Sequence, residues 1–162
     1  MDETVQYIRP FVDVTLSTFK EFVGCDVTPR HPHFLLIDNM DEWNITSIIG
    51  LSGAIRGAVI ISMKTDLALK FTDLLVGTKH TEIDSDVVDA IGEIVNIIAG
   101  NCKPMMPDGN RIIISIPTVI KGKAHSVAQL SKKARVLCIP FKAFDNDIFN
   151  ILVAIEVENP VL

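Results

Sequence analysis

Two blocks rich in β-branched residues, separated by a helical segment, restrict the folds open to this chain. The first block covers about residues 33–63 and the second covers about residues 111–157. Between them, apolar residues recur at the three- and four-residue spacing of amphipathic helices. Strands grouped in this way indicate an α+β fold, with a mostly antiparallel mixed sheet packed against amphipathic helices, and they disfavour a βαβ repeat.

Turn signals divide each block into strands. In the first block, apolar runs at 44–51 and 57–63 flank Ser52–Arg56 and predict a hairpin, preceded by a short apolar run at 34–37. In the second block we predict strands at 111–116, 119–127, 135–141 and 149–157, the last two joined through an Asp145-Asn146-Asp147 turn.

Three helices are predicted. The first carries an apolar stripe, places Pro10 in its first turn and stops at Gly24; its stripe is Val5, Ile8, Val12, Leu16, Phe19 and Val23. The second begins at Thr65 or Asp66 and ends at Gly77, with an apolar face of Leu67, Phe71, Leu74 and Leu75. The third runs from about Ser85 to Asn101, with Val87, Val88, Ile91, Ile94, Val95 and Ile98 on one face.

Composition narrows the class of protein. The chain of 162 residues is predicted to form one domain, 1–162, and its 48% hydrophobic content excludes intrinsic disorder. A net charge of -5 disfavours binding to nucleic acid or to anionic membranes. The cysteines Cys25, Cys102 and Cys138 are far apart, and neither a basic leader nor a membrane-length apolar run is evident. These features predict a cytoplasmic protein with no membrane association.

The side of the third helix opposite its apolar face has an unusual composition. It carries Asp89, Gly92, Glu93, Asn96, Gly100 and Lys103. Glycine inside a helix costs about 1 kcal/mol relative to alanine, and asparagine is a weak helix former. Such residues beside an acid fit a surface that another backbone approaches closely. A solvated face with a helix end near Gly100 gives the same pattern, and periodicity alone favours that interpretation.

Residues 89–101, D-A-I-G-E-I-V-N-I-I-A-G-N, resemble the signature helix of the CheC/CheX/FliY chemotaxis phosphatases, whose core is E-x-x-N, here Glu93 and Asn96. The bare pattern also occurs at 156–159, but at the end of a predicted strand, where residues three apart point to opposite faces. Arg9-Pro10-Phe11 and the segment 116–122 extend the resemblance over nearly the whole chain. The chain is most similar to the CheX type, because a second E-x-x-N helix is missing. Lys103-Pro104 departs from related sequences, which continue the helix there.

The resemblance implies a phosphatase that acts on the aspartyl phosphate of a CheY-type response regulator. It implies that Asn96 orients the attacking water and that Glu93 pairs with a lysine of the regulator. We expect Asp89, Gly92, Gly100 and Lys103 to contact this partner. The chain itself is expected to bind no cofactor, with Mg²⁺ supplied by the response regulator. A non-catalytic regulator-binding or flagellar-switch-like module is the alternative, and a small-ligand sensor has no supporting motif.

Other polar residues give no sign of a metal site. His31 and His33 form the only close histidine pair and are interpreted as a loop before a strand. Asp84, Asp86 and Asp89 are expected to splay around a helix start, where they complement its dipole. The resemblance also implies a homodimer, for which 125–127 and 134–141 are candidate sheet edges because they carry few blocking charges.

Overall fold

One antiparallel sheet and three α-helices make up the described parts of the chain, residues 5–35, 42–125 and 135–156 of a computed structural model. The helices are α1 (Val5–Thr18, continued by a π-helical turn at Phe19–Val23), α2 (Thr65–Val76) and α3 (Ser85–Cys102). The strands are β1 (Val27–Pro29), β2 (His33–Phe34), β3 (Trp43–Gly53), β4 (Arg56–Met63), β5 (Ile112–Ile114), β6 (Thr118–His125), β7 (Arg135–Ala143) and β8 (Asp147–Glu156). The predicted α+β class is confirmed.

The sheet has the order β1-β7-β8-β4-β3-β5, and β2 and β6 pair with β7 and β3 respectively. Every pairing among the described strands is antiparallel. The predicted hairpin is present as β3 and β4, with Ser47 opposite Ile61. Because β5 and β6 both pair with the same side of β3, they form one interrupted edge of the sheet.

The predicted dimer edge at 134–141 is wrong for residues 135–141. These residues belong to β7, which is paired with β8 on one side and with β1 and β2 on the other. The low local charge of β7 therefore reflects an interior strand and gives no indication of a free edge. In the other candidate segment, His125 ends the edge strand β6, and residues 126–127 lie outside the described ranges, as does residue 134.

The main core lies between the helices and one face of the sheet. Aromatic rings occupy its centre: Phe19 lies 4.7 Å from Phe149, and Phe141 stacks on Phe149 at 5.3 Å, centroid to centroid. The predicted apolar face of α3 is almost entirely buried here, with Val88 half-buried at its border. No helix in the described ranges is long and apolar enough to cross a membrane.

Two predictions about helices α1 and α2 are wrong in detail. Pro10 is the sixth residue of α1, beyond its first turn, so its ring nitrogen cannot donate to the Gln6 carbonyl. Pro10 is buried beside the fully buried Phe11, and this packing outweighs the lost hydrogen bond. In α2, Leu74 is 47% exposed, because the buried side of the helix runs through Leu67 and Phe71 instead.

Candidate functional site

Helix α3 is a firmly held platform for the residues on its polar side. Its first turn is capped by Asp84, whose Oδ1 accepts a hydrogen bond from the Val87 backbone N–H at 3.1 Å. From there to Cys102, one side of the helix is buried against the sheet and the other two helices. Side chains on the opposite side are therefore presented from a rigid element, which a precise site requires.

The predicted site residues Asp89, Glu93 and Asn96 follow one another along one side of α3. The side chains of Asp89 and Glu93 are exposed, and that of Asn96 is half-buried. None of the three makes a hydrogen bond or an ion pair with another residue in the described ranges. No described residue therefore uses the hydrogen-bonding capacity of the two carboxylates and the amide.

Gly92 and Gly100 lie one turn before and one turn after Asn96. A Cβ atom on Gly92 would lie 3.5 Å from Val119 Cγ2 and 3.6 Å from Pro117 Cγ, and one on Gly100 would lie 4.0 Å from Ile114 Cδ1. These are ordinary contact distances, so packing within the described chain requires a glycine at neither position. Gly92 is buried beneath Pro117 and Val119, and its expected contact with a partner stays a prediction.

Lys103 lies at the far end of the platform. Its backbone N–H bonds to the Ala99 carbonyl and closes α3, and Pro104 follows within a 3₁₀ turn. Lys103 is about 10 Å beyond Asn96 along the helix axis, at 1.5 Å per residue. It lines an open cavity of about 440 Å³ with Pro104, Asp108, Gly109 and Asn110. The structure therefore places Lys103 apart from Glu93 and Asn96.

A histidine that the sequence analysis did not single out joins α2 to the start of α3. His80 is 5% exposed; its Nδ1 lies 2.9 Å from Asp73 Oδ1 and its Nε2 lies 3.3 Å from Asp86 Oδ2. The hydrogen bonds to Asp73, and then to Asp86, raise the pKa of His80, and the same contact lowers the pKa of Asp73. Asp86 thus has a specific partner beyond the helix dipole. No sequence pattern identifies this pairing.

His80 also belongs to a group of three possible metal ligands in the described ranges. Ligand atoms of His80, Asp84 and Asp86 lie within 4.8 Å of one another. However, both ring nitrogens of His80 face carboxylate oxygens, which suits a protonated ring that donates two hydrogen bonds. A protonated imidazole has no lone pair for a metal. We therefore interpret the group as an ion-pair network.

Fold and site together define a class of protein: an α+β domain that presents one E-x-x-N pair, Glu93 and Asn96, on the outer side of a packed helix. The sequence matches the family model described as chemotaxis phosphatase CheX over residues 45–142, which include this helix. The chain belongs to this family.

Individual relatives agree with this assignment. A Thermotoga maritima protein named CheY-P phosphatase CheX is 25% identical over 115 residues, which cover 70% of this chain and 72% of the relative. The structure of chemotaxis protein CheX from Vibrio vulnificus superimposes with a TM-score of 0.84 at 22% identity, covering 93% of this chain and 99% of that one. A CheX–CheY–BeF3–Mg²⁺ complex from Borrelia burgdorferi gives a TM-score of 0.78 at 25% identity, with 93% and 97% covered.

Proposed function

We propose that this protein hydrolyses the aspartyl phosphate of a CheY-type response regulator. One observation carries the proposal: Glu93 and Asn96 lie side by side on a rigid helix, and neither has a polar partner in the described chain. Family membership supports the phosphatase activity, and the Thermotoga relative is named for this reaction. The Borrelia complex supports the choice of partner, since it joins a CheX protein to CheY.

In the proposed mechanism, the reaction is a transfer of the phosphoryl group to water. The water oxygen bonds to phosphorus, the bond from phosphorus to the aspartyl oxygen breaks, and the products are inorganic phosphate and a free carboxylate. The transition state is loose, so positioning and electrostatics supply most of the catalysis. A phosphatase of this kind therefore needs to hold one water in line with the leaving oxygen, without a covalent intermediate of its own.

The Asn96 amide suits this task. Its oxygen can accept a hydrogen bond from the attacking water, and its nitrogen can donate one to a phosphoryl oxygen. Asn96 is half-buried on a helix whose other side is packed in the core, so the amide can be held in few orientations. Because the amide has no polar partner in the described chain, docking breaks no internal hydrogen bond of Asn96.

Glu93 would anchor the two proteins. Its exposed carboxylate lies one turn from Asn96, and the exposed carboxylate of Asp89 lies one turn further along the same side of α3, so Glu93 has a second negative charge beside it. A lysine ammonium of the regulator is attracted to such a pair, and a bond to Glu93 would fix how Asn96 enters the regulator's site. Gly100 is consistent with close approach of the regulator to α3, because no contact within the described chain accounts for its missing side chain.

The remaining parts of the proposal concern assembly. We place the Mg²⁺ ion on the regulator, a choice supported by the Borrelia complex, which contains CheY, BeF3 and Mg²⁺ together. The chain acts as a single domain, 1–162, in the cytoplasm and forms a homodimer, as its family resemblance implies. The interrupted edge formed by β5 and β6 remains open to a second copy within the described sheet.

Phosphate release from a phosphorylated CheY-type regulator tests the proposal. We expect the wild-type chain to accelerate release, and Asn96→Ala to lose about 100-fold or more of that acceleration, as expected when an orienting group is removed. Asn96→Ala should bind the BeF3–Mg²⁺ form of the regulator as tightly as the wild type. A wild-type chain that binds this form without accelerating release would be a docking module, and an active Asn96→Ala would refute the assigned role.

A further inference from the structure

The edge of the sheet next to α3 contains one extra residue at the junction of β5 and β6. Along β3, Leu51 pairs with Ile114 and Ile48 pairs with Thr118. Two residues of β3 lie between these pairs, whereas the edge has three, residues 115–117. One extra residue on one strand is the mark of a β-bulge, which often redirects a side chain beside a functional site.

Contacts on either side identify Ile116 as the redirected residue. Ile114 and Pro117 both face α3, where they approach Gly100 and Gly92. The hydroxyl of Ser115 turns back to β3 and accepts a hydrogen bond from the Gly50 backbone N–H at 2.8 Å. The side chain of Ile116 is 84% exposed, more than any other large apolar side chain in the described ranges.

The same contacts place the segment 114–117 alongside the stretch of α3 that contains Asn96. Gly92 and Gly100 are about 12 Å apart along the helix, and Asn96 is midway between them. The segment 114–117 spans about 10 Å in extended form and touches α3 near both glycines. Ile116 therefore lies between these two points, along the stretch of α3 from Gly92 to Gly100, with its side chain exposed.

Ile116 is also held in place. Pro117 fixes its own φ angle, restricts the preceding residue to extended conformations and packs on Gly92. Ser115 bonds both to β3 and to Ile116 itself, since its backbone N–H donates to the Gly50 carbonyl and its hydroxyl donates to the Ile116 carbonyl. A rigid, exposed apolar side chain loses little entropy on binding, and burying it in a partner is favourable.

We propose that Ile116 is an apolar anchor for the response regulator, seated in a recess beside the regulator's phosphorylated aspartate. This inference rests on the proposed function, and it adds a hydrophobic contact to the polar pair Glu93 and Asn96. The regulator is the favoured occupant because the segment that carries Ile116 runs along the stretch of α3 that carries this pair. A second copy of the chain is the competing occupant, since the same edge is open.

The test compares Ile116→Ala with Ile113→Ala. Ile113 is a matched control: it is 63% exposed on the same edge, but it alternates with Ile112 and Ile114 and so lies on the sheet face away from α3. We expect Ile116→Ala to raise both the KM and the Kd for the BeF3–Mg²⁺ regulator about tenfold or more, with kcat within about twofold of wild type. Ile113→Ala should change none of these quantities.

An unchanged Kd for Ile116→Ala, or an equal loss for Ile113→Ala, would overturn the anchor. Sedimentation provides a second check, because a dimer that Ile116→Ala converts to monomer would assign the residue to self-association. Failure of the proposed function is separable from these outcomes. If the wild type does not accelerate phosphate release, the Kd for the BeF3–Mg²⁺ regulator still decides whether Ile116 contributes to docking.

Discussion

Replacement of Gly100 by alanine should make the protein more stable and less active at the same time. Gly100 lies within α3, where alanine is favoured over glycine by about 1 kcal/mol. The new methyl group would have only Ile114 Cδ1 near it, at 4.0 Å, so no clash offsets this gain. For a chain of this size, about 1 kcal/mol corresponds to a rise in Tm of about 2–4 °C.

The loss of activity follows from the proposed docking geometry. If the regulator backbone approaches α3 at Gly100, a methyl group would hold it away from Asn96, and a displacement of about 1 Å can cost 100-fold in rate. Gly92→Ala is the matched control. Its methyl group would make ordinary contacts at 3.5 Å and 3.6 Å with Val119 and Pro117, which cover it, so we expect a similar gain in stability with activity retained.

Thermal and denaturant unfolding measure the first effect, and phosphate release from the phosphorylated regulator measures the second. A Gly100→Ala variant that is more stable and fully active would show that no partner backbone approaches this position. A variant with a lower Tm would contradict the packing described for α3. Loss of activity in Gly92→Ala alone would mean that Pro117 and Val119 transmit a shift to Asn96.

Three further results are expected. Glu93→Gln should raise the Kd for the BeF3–Mg²⁺ regulator, and Asp89→Asn should raise it by a smaller factor. Equal Kd values for Glu93→Gln and wild type would contradict the pairing of Glu93 with a regulator lysine. The pKa of His80 is raised in the folded state, so its contribution to stability is complete below its unfolded pKa of about 6.5 and is lost as the pH rises through the folded value. Denaturation at a series of pH values should show this decline in stability. The His80→Gln variant should lack this pH dependence. Calorimetry should detect no specific Mg²⁺ binding to the isolated chain, whereas chelation of Mg²⁺ should stop the complete reaction with the regulator. A stoichiometric Mg²⁺ site on this chain would refute the proposal that the regulator holds the ion.

Sequence analysis predicted α3 most accurately, because the signal for a helix is local. Its apolar and polar sides are set by residues three and four positions apart, and the helix observed at Ser85–Cys102 differs by one residue from the expected end. The β3–β4 hairpin was predicted for the same reason, since both strands and their turn are adjacent in the chain. The exposed positions of Asp89 and Glu93 followed from the same periodicity.

Only the tertiary structure decided how distant segments meet. The interior position of β7, the cover that Pro117 places over Gly92 and the outward position of Ile116 depend on pairings between residues far apart in sequence. The Ser115 hydroxyl, for example, bonds to Gly50 across 65 residues. Periodicity gives the side of an element on which a residue lies, but it carries no information about the element packed against that side. The local sequence therefore determined the site helix, whereas the packing of the edge strand determined which residues surround it.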